Sequence, residues 1–420
     1  MHNQRQTISE DVVQYIDQCE RDCQSVFSTL DVIERTNTRK VLSALQRHRV
    51  SSRHFAQTTG YGYDDIGRDT LSNVFADVMG AQSALVRAQI ASGTHALALC
   101  LQGILRPGDT MISAAGAPYD TMQQVIGLNG QTGQGSLKEY GIGYAQVELN
   151  ADGDIDIAGV VSKMDERTKL ILIQRSRGYA WRPALTIEQI ETATRAIKQK
   201  NPAAIVMVDN CYGEFTDTKE PCDVGVDLVA GSLIKNPGGG IAPTGGYIAG
   251  TKEAVELVSY RLTSPGIGAE VGSYAASYQP FYQGLFMAPH VTMQAIKTAV
   301  LTAKVFSGLN FEVHPPFDAK RSDIIEAIKF GSSEPLIAFV QAIQAASPID
   351  SEAVPEPWAM PGYEDEVIMA AGTFISGASI ELSADAPIRA PYIAYLQGGL
   401  TYAHGRIALE AAVEAMKVLR

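Results

Sequence analysis

From Thr70 to Leu257 the chain alternates between two rhythms. Amphipathic stretches with apolar residues every three or four positions are separated by short, continuous apolar runs. That alternation predicts helices laid on both faces of an open, largely parallel sheet. The helix LSNVFADVMGA leads to a strand over Ala84 to Ala88, a loop at Ala91 to Thr94 and a helix from His95. MISAAG reads as a strand, followed by the loop APYDT and a helix reaching about Leu128. GYAQVELN and KLILIQRS are further strands, with an amphipathic helix near Ile157 to Met164 between them, and TIEQIETATRAIKQK is a helix capped by Thr186. AAIVMVD is the unbroken apolar run of a strand covered on both faces, and it ends on Asp209. Two more apolar runs, Leu228 to Ala230 and Gly246 to Ala249, flank Lys235.

The flanks differ. Residues 8–48 carry helical periodicity and predict two helices with Ser9 and Asp31 as N-caps, an arm expected to pack on a partner subunit or across the main domain. The loop that follows holds Tyr61, Tyr63 and Arg68 but few aliphatic residues, so it is expected to serve contact rather than burial. Beyond Thr263 two long helices are expected, separated by a break around Pro280 and Pro289. A smaller α+β unit comes last, with strands at SDIIEAIKF and IMAAG, helices at EPLIAFVQAIQAA and HGRIALEAAVEAMKVL, and a proline-rich loop over 347–366. The organisation expected is a helical arm and subunit-contact loop (1–65), a large α/β domain (66–265), interdomain helices (266–308) and a small C-terminal α+β domain (309–420).

Composition changes this picture only by exclusion. With 420 residues the chain is too long for one small core. A hydrophobic content of 45% with 19% charged residues is that of an ordinary globular protein. The net charge of -12 argues against nucleic acid as a partner. No apolar run is long enough for a membrane helix and the first residues lack the apolar core of a signal peptide, so no membrane partner and a cytoplasmic location are expected. Five scattered cysteines argue against a disulfide framework or a metal site, and Cys19 and Cys23 are expected to pack from one helix face.

Ligands of such sheets bind at the carboxyl ends of the strands, which brings Ser92, Tyr119, Arg175, Asp209 and Lys235 toward one place. Ser92, Gly93 and Thr94 open a helix, where free N–H groups and the helix dipole form a cup for phosphate. Tyr119 can stack on a flat ring. Asp209, in apolar surroundings, needs a positive partner. Lys235 is expected to be buried, with a lowered pKa and an amine free to form a Schiff base. Ser232 would face the same phosphate, while Gly238 to Gly240 would turn the chain away from a flat ring. Phosphate cup, aromatic, aspartate and lysine, in that order, point to pyridoxal 5'-phosphate, which takes a lysine and an acidic partner for its pyridinium nitrogen. A dinucleotide site is disfavoured, because Gly266-Ile267-Gly268 follows no strand.

With these residues in view, the sequence resembles the pyridoxal-phosphate enzymes of cysteine and methionine metabolism. It is most similar to their methionine gamma-lyase-like or aluminium-resistance branch, described as cystathionine beta-lyases. The resemblance rests on Gly60 to Asp65, Gly67 to Asp69, Ala91 to His95, Gln174 to Tyr179, Val208 to Tyr212, Gly231 to Gly239 and Gln397 to Tyr402. It implies the aspartate-aminotransferase-like fold type I, with a mostly parallel seven-stranded sheet and a small C-terminal domain. It also implies that Lys235 binds the cofactor and moves protons, that Asp209 keeps the ring nitrogen protonated, and that Tyr119 stacks on the ring. Ser92, Gly93, Thr94 and Ser232 would hold the phosphate. Tyr61 or Tyr63, with Arg68 as a further candidate, would reach a neighbouring subunit's cofactor in a homo-oligomer, a dimer of dimers. Arg389 would bind the substrate carboxylate, with Arg406 as competitor. Where the better-known lyases carry an asparagine-proline pair this chain has Arg175-Ser176-Arg177, which leaves open whether Arg175 or Arg177 takes over the hydrogen bond to the ring hydroxyl; Arg177 is also a candidate for the substrate. The activity implied is carbon–sulfur elimination from a sulfur amino acid; transfer or transamination on the same fold, or a cofactor-bound stress protein with little turnover, are the alternatives.

Overall fold

A computed structural model of the chain describes residues 8–360 and 365–417. The first element is one helix, α1 (Glu10–Arg47), not two. Nothing between Leu30 and Asp31 breaks it, and Asp31 lies inside it, paired with Lys297 at 2.5 Å instead of capping a second start. Its apolar stripe, including Val12, Ile16, Cys19, Cys23, Phe27 and Leu30, packs into the same core as Ile296, Val300 and Phe306. Farther along, Asn37 Nδ2 donates to the carbonyls of Phe215 (3.1 Å) and Asp217 (2.9 Å). The arm thus lies across its own chain.

After α2 (Ile66–Val78) the expected alternation appears: β1 (Ser83–Arg87), α3 (Gly93–Ile104), β2 (Thr110–Ser113), α4 (Asp120–Ile126), β3 (Gly143–Gln146), α5 (Ile157–Lys163), β4 (Thr168–Gln174), α6 (Ile187–Lys200), β5 (Ile205–Asp209), β6 (Leu228–Ser232), β7 (Gly246–Gly250) and α7 (Lys252–Leu262). The seven strands form one sheet in the order β1-β7-β6-β5-β4-β2-β3. Only β7 runs against its neighbours. Alternate side chains of each strand enter opposite cores, as the pleat requires. Ile171, Ile173, Val206, Val208 and Val229 face one side, and Leu170, Leu172, Met207, Leu228 and Ala230 the other. Both faces are covered by helices, which is why these strands read as unbroken apolar runs.

Residues 264–278 are not a long helix. Gly266, Gly268 and Gly272 there adopt left-handed backbone that a helix does not use. A single helix, α8 (Gln279–Gly308), follows and runs straight through Pro289. Pro280 sits in its first turn, where a missing N–H costs nothing, and the buried flank of Leu285, Ala288, Val291 and Ile296 holds the later turns together despite the lost bond at Pro289. The C-terminal unit comprises β8 (Glu312–His314), β9 (Ile325–Lys329), α9 (Ser333–Ala345), β10 (Val367–Ala370), β11 (Ser383–Pro387), β12 (Ile393–Gln397) and α10 (Tyr402–Lys417). Its antiparallel sheet has the order β10-β11-β12-β9-β8. Three of these strands escaped the sequence pattern; β11, SADAP, has almost no β-favouring residue. The described residues of the proline-rich loop are irregular apart from a bridge at Trp358; residues 361–364, 1–7 and 418–420 lie outside the described residues.

Candidate active site

Strands β4 and β5 of the large sheet end level with one another, and β6 beside them runs two residues further. Gln174, last in β4, pairs with Asp209, last in β5, and Asp209 pairs with Ala230 of β6, two residues before Ser232. Their ends, the turn into α3 and the loop after β2 enclose a cavity of about 230 Å³. Ser92, Gly93, Thr94, Tyr119, Asp209, Ser232 and Lys235 all line it, so the residues expected from the sequence to share a site do share one.

At the mouth of α3, Ser92 Oγ accepts from His95 N (3.1 Å), which leaves the amides of Gly93 and Thr94 directed out of the helix start. A Cβ on Gly93 would come within 3.3 Å of Cys211 Sγ and 3.5 Å of Ser232 Cβ, so a side chain there would press on two walls of the cradle. Thr94 Oγ1 lies 2.8 Å from Thr121 Oγ1, a hydroxyl on the cavity wall that the sequence did not single out. Gln174 accepts from Tyr119 N (2.7 Å) and donates to Ser176 O (3.1 Å), fixing the loop that carries the aromatic ring.

Lys235 Nζ lies 4.1 Å from the centre of the Tyr212 ring. Burial is the largest single influence on Lys235 and lowers its pKa, but Cys211, Tyr212, Asp209 and Glu214 together outweigh it, so the ammonium is held above its ordinary range. This reverses the lowered value expected from burial alone. Burial pushes Asp209 up, and Lys235 and Cys211, whose N donates to Oδ1 at 3.1 Å, pull against that rise. Burial raises Cys211 and Tyr212 as well. Tyr212 holds a left-handed backbone (φ 71°), a strained conformation for an aromatic residue at the catalytic edge. Its only sequence signal was its place in the motif that begins before Asp209.

Beneath the cavity lies a polar floor. Tyr247 Oη donates to Glu214 Oε1 (2.8 Å), and Asn210 Nδ2 donates to Glu220 Oε2 (3.2 Å) and Tyr247 Oη (3.3 Å). Burial pushes Glu214 up to about 8. Arg175 belongs here: its Nη1 donates to Asn210 Oδ1 (2.9 Å) and Gly213 O (2.7 Å), and it does not line the cavity.

Several other candidates stand elsewhere. Arg177 is buried, donates to His314 O (2.6 Å) and faces Asp323 at 3.7 Å, so its charge is committed between the two sheets. Ser176 does line the cavity, with its Oγ donating to Asp323 Oδ2 (2.8 Å). Arg389 is half-exposed, paired with Asp365 at 2.9 Å, in an adjoining recess with Tyr179 and Tyr395. Arg406 meets Glu20 at 3.3 Å from the last helix. Tyr61 and Tyr63 are exposed and stacked on each other at 5.5 Å, outside this chain's cavity. Arg68 is not a free arm: it is buried, holds Gly62 O at 2.8 Å and pairs with Asp69 at 2.7 Å, pinning the tyrosine loop. The glycines after Lys235 answer to α8 as well. Gly239 (φ 55°) faces Gly284 O, where a Cβ would approach to 2.4 Å, and a Cβ on Gly238 would strike Leu233 O. Close crossing of backbones, more than clearance for a ring, requires them.

The cradle of open amides, the buried lysine and the buried aspartate fit pyridoxal phosphate in the three places where that cofactor needs partners. Comparison with known proteins agrees. The family model for methionine gamma-lyase matches residues 12–417. The chain is 53% identical over 397 residues to the uncharacterized protein YnbB of Bacillus subtilis (strain 168), covering 94% of each. The crystal structure of a carbon-sulfur lyase involved in aluminum resistance from Clostridium novyi NT superposes with a TM-score of 0.94 at 52% identity, covering 97% of this chain and 96% of that one. At 14% identity and a TM-score of 0.62, the pyridoxal-5'-phosphate dependent protein YhfS of Escherichia coli shares the fold over 93% of this chain and 97% of its own. The chain therefore belongs to the methionine gamma-lyase family, whose fold is type I and whose cofactor is pyridoxal 5'-phosphate.

Proposed function

We propose that this protein is a carbon–sulfur lyase acting on a sulfur-containing amino acid, with Lys235 as its acid–base group. The observation that carries the reading is the meeting, at one cavity, of a buried lysine, a buried aspartate and the open amides of α3. The name of the Clostridium novyi neighbour, a carbon-sulfur lyase, supports the reaction class.

In this reading the amides of Gly93 and Thr94 and the hydroxyls of Ser92, Thr94 and Ser232 hold the phosphate, Tyr119 lies against the ring, and Asp209 holds the proton on the ring nitrogen. When bound there, pyridoxal phosphate supplies an electron-accepting ring that acidifies the substrate's α-proton. Lys235 Nζ, which gives up its own proton in bonding to the cofactor, acts as a neutral amine: it takes that proton from the α-carbon and returns a proton to the departing sulfur. The carbon–sulfur bond breaks, and with one water consumed the products are a thiol, a 2-oxo acid and ammonia. Arg389 is the guanidinium assigned to the substrate carboxylate, provided that Asp365 releases it. Arg177, its charge held by Asp323, is given no substrate contact. The exposed Tyr61 and Tyr63 suit a contribution to a neighbouring subunit's phosphate in a homo-oligomer.

The test is thiol release from cystathionine, cysteine and methionine, with the 2-oxo acid identified to tell β- from γ-elimination. Lys235→Ala is expected to lose turnover by about a thousandfold or more, together with the absorbance of the lysine-bound cofactor. Undiminished thiol release by that variant would sink the assignment. A monomer in gel filtration with full turnover would remove the subunit-sharing part.

A further inference from the structure

Asp385 projects from the middle of β11, on the small-sheet side of the cleft. Tyr179 Oη (3.2 Å) and Gln397 Nε2 (3.0 Å) both donate to its Oδ2, while Oδ1 accepts no hydrogen bond among the described residues. Both donors lie in motifs through which the chain resembles its family, and the lyase reading gives neither a task. No lysine, arginine or histidine among the described residues stands within ion-pair distance of this carboxylate. Yet it is only partly open to solvent, and burial pushes it up to about 6, against the pull of Lys235. A shielded carboxylate with one oxygen braced and the other unspent needs a cation.

Its surroundings suit one. Tyr179 packs against Tyr395 at 5.3 Å and Tyr119 at 6.0 Å, and Tyr395 Oη anchors the Tyr179 carbonyl at 2.6 Å. An aromatic wall of this kind favours an ammonium over a neutral group. Its end at Tyr119 lies on the cavity that holds Lys235, and Asp385 stands near enough for the Lys235 charge to act on it, which sets the carboxylate toward the far end of a ligand running along the wall.

We infer that Asp385 is a specificity-determining residue, receiving on Oδ1 the distal ammonium of a diamino thioether such as cystathionine. Methionine and simple S-alkyl cysteines have no such group. This inference rests on the lyase reading and narrows its substrate class.

The test compares cystathionine with S-(3-carboxypropyl)-cysteine, which lacks only the distal amino group, on the holoenzyme and on Asp385→Asn. The native enzyme is expected to favour cystathionine by about tenfold or more in kcat/KM, the worth of one charge-assisted hydrogen bond. Asp385→Asn is expected to bring the ratio to within about threefold. Equal use of both substrates by the native enzyme overturns the inference, whether or not the variant folds. So does a ratio that the variant leaves unchanged, because a merely structural role would slow both substrates alike. If no thiol is released from either compound, the lyase reading fails by itself, and calorimetric affinities of the same pair, with the same expected ratios, then decide the role of Asp385.

Discussion

Asp209 and Asp385 are both carboxylates raised by burial and drawn by the charge of Lys235, but they stand on different sheets and their side chains are held in different ways. Asp209 ends a central strand of the seven-stranded sheet, level with Gln174 on one side, and shares its wall with Lys235 above a floor of buried polar groups. Its Oδ1 accepts from Cys211 N, a backbone donor, at 3.1 Å. Asp385 sits in the middle of a strand of the five-stranded sheet, paired with Met369 on one side and Tyr395 on the other, and two side chains brace one of its oxygens. The difference suggests a division of labour. The carboxylate beside Lys235, held by a backbone amide, serves the chemistry every substrate shares, and the one held by side chains on the small sheet serves the choice among substrates.

That division can be broken by substitution. After the loss at Lys235, the largest effect is expected from Asp209→Ala, with kcat falling about a hundred- to a thousandfold for every substrate even with pyridoxal phosphate in excess. Loss confined to one substrate would mean that this carboxylate also selects. In the C-terminal unit, Arg389→Ala is expected to raise KM about tenfold with little change in kcat, as for a residue that binds a carboxylate but takes no part in bond breaking. A proportional fall in kcat would move Arg389 into the chemistry, and no change in either would leave it the surface partner of Asp365. The smallest effect concerns the floor. Burial raises Glu214 to about 8, so the folded protein keeps a proton that the unfolded chain gives up near its ordinary value of 4.5. Between those two values the unfolded state carries fewer protons, and this group makes stability fall as pH rises. Glu214→Gln should flatten that slope, by at most about 1.4 kcal/mol per pH unit, in urea titrations spanning about pH 5.5 to 8. An unchanged slope would assign the titration to another buried acid.

The two regions also differ in how they can be read from sequence. Ser92, Tyr119, Asp209 and Lys235 were legible because each follows an apolar run whose length and flanks mark a strand end. Tyr212 was half-legible, present in a motif but without a role. Arg68 and Arg177 were misread as free charges: an arginine in a loop motif looks the same whether it reaches a ligand or, as here, is spent on Gly62 O or on His314 O. Pro289 misled for a related reason, since its cost is local while the packing that overrides it comes from distant elements.

By itself the sequence determined the alternating fold of the large domain and the convergence of the residues that fit pyridoxal phosphate. Hydrogen-bond register forces the ends of neighbouring parallel strands to the same edge, so order along the chain already fixes proximity there. Only the tertiary structure decided that the arm is one helix lying across its own chain, that α8 demands the glycines after Lys235, and that Asp385 stands beside Tyr179. Those outcomes depend on which face of a helix or strand meets another element far along the chain, and no local pattern in SADAP records that meeting.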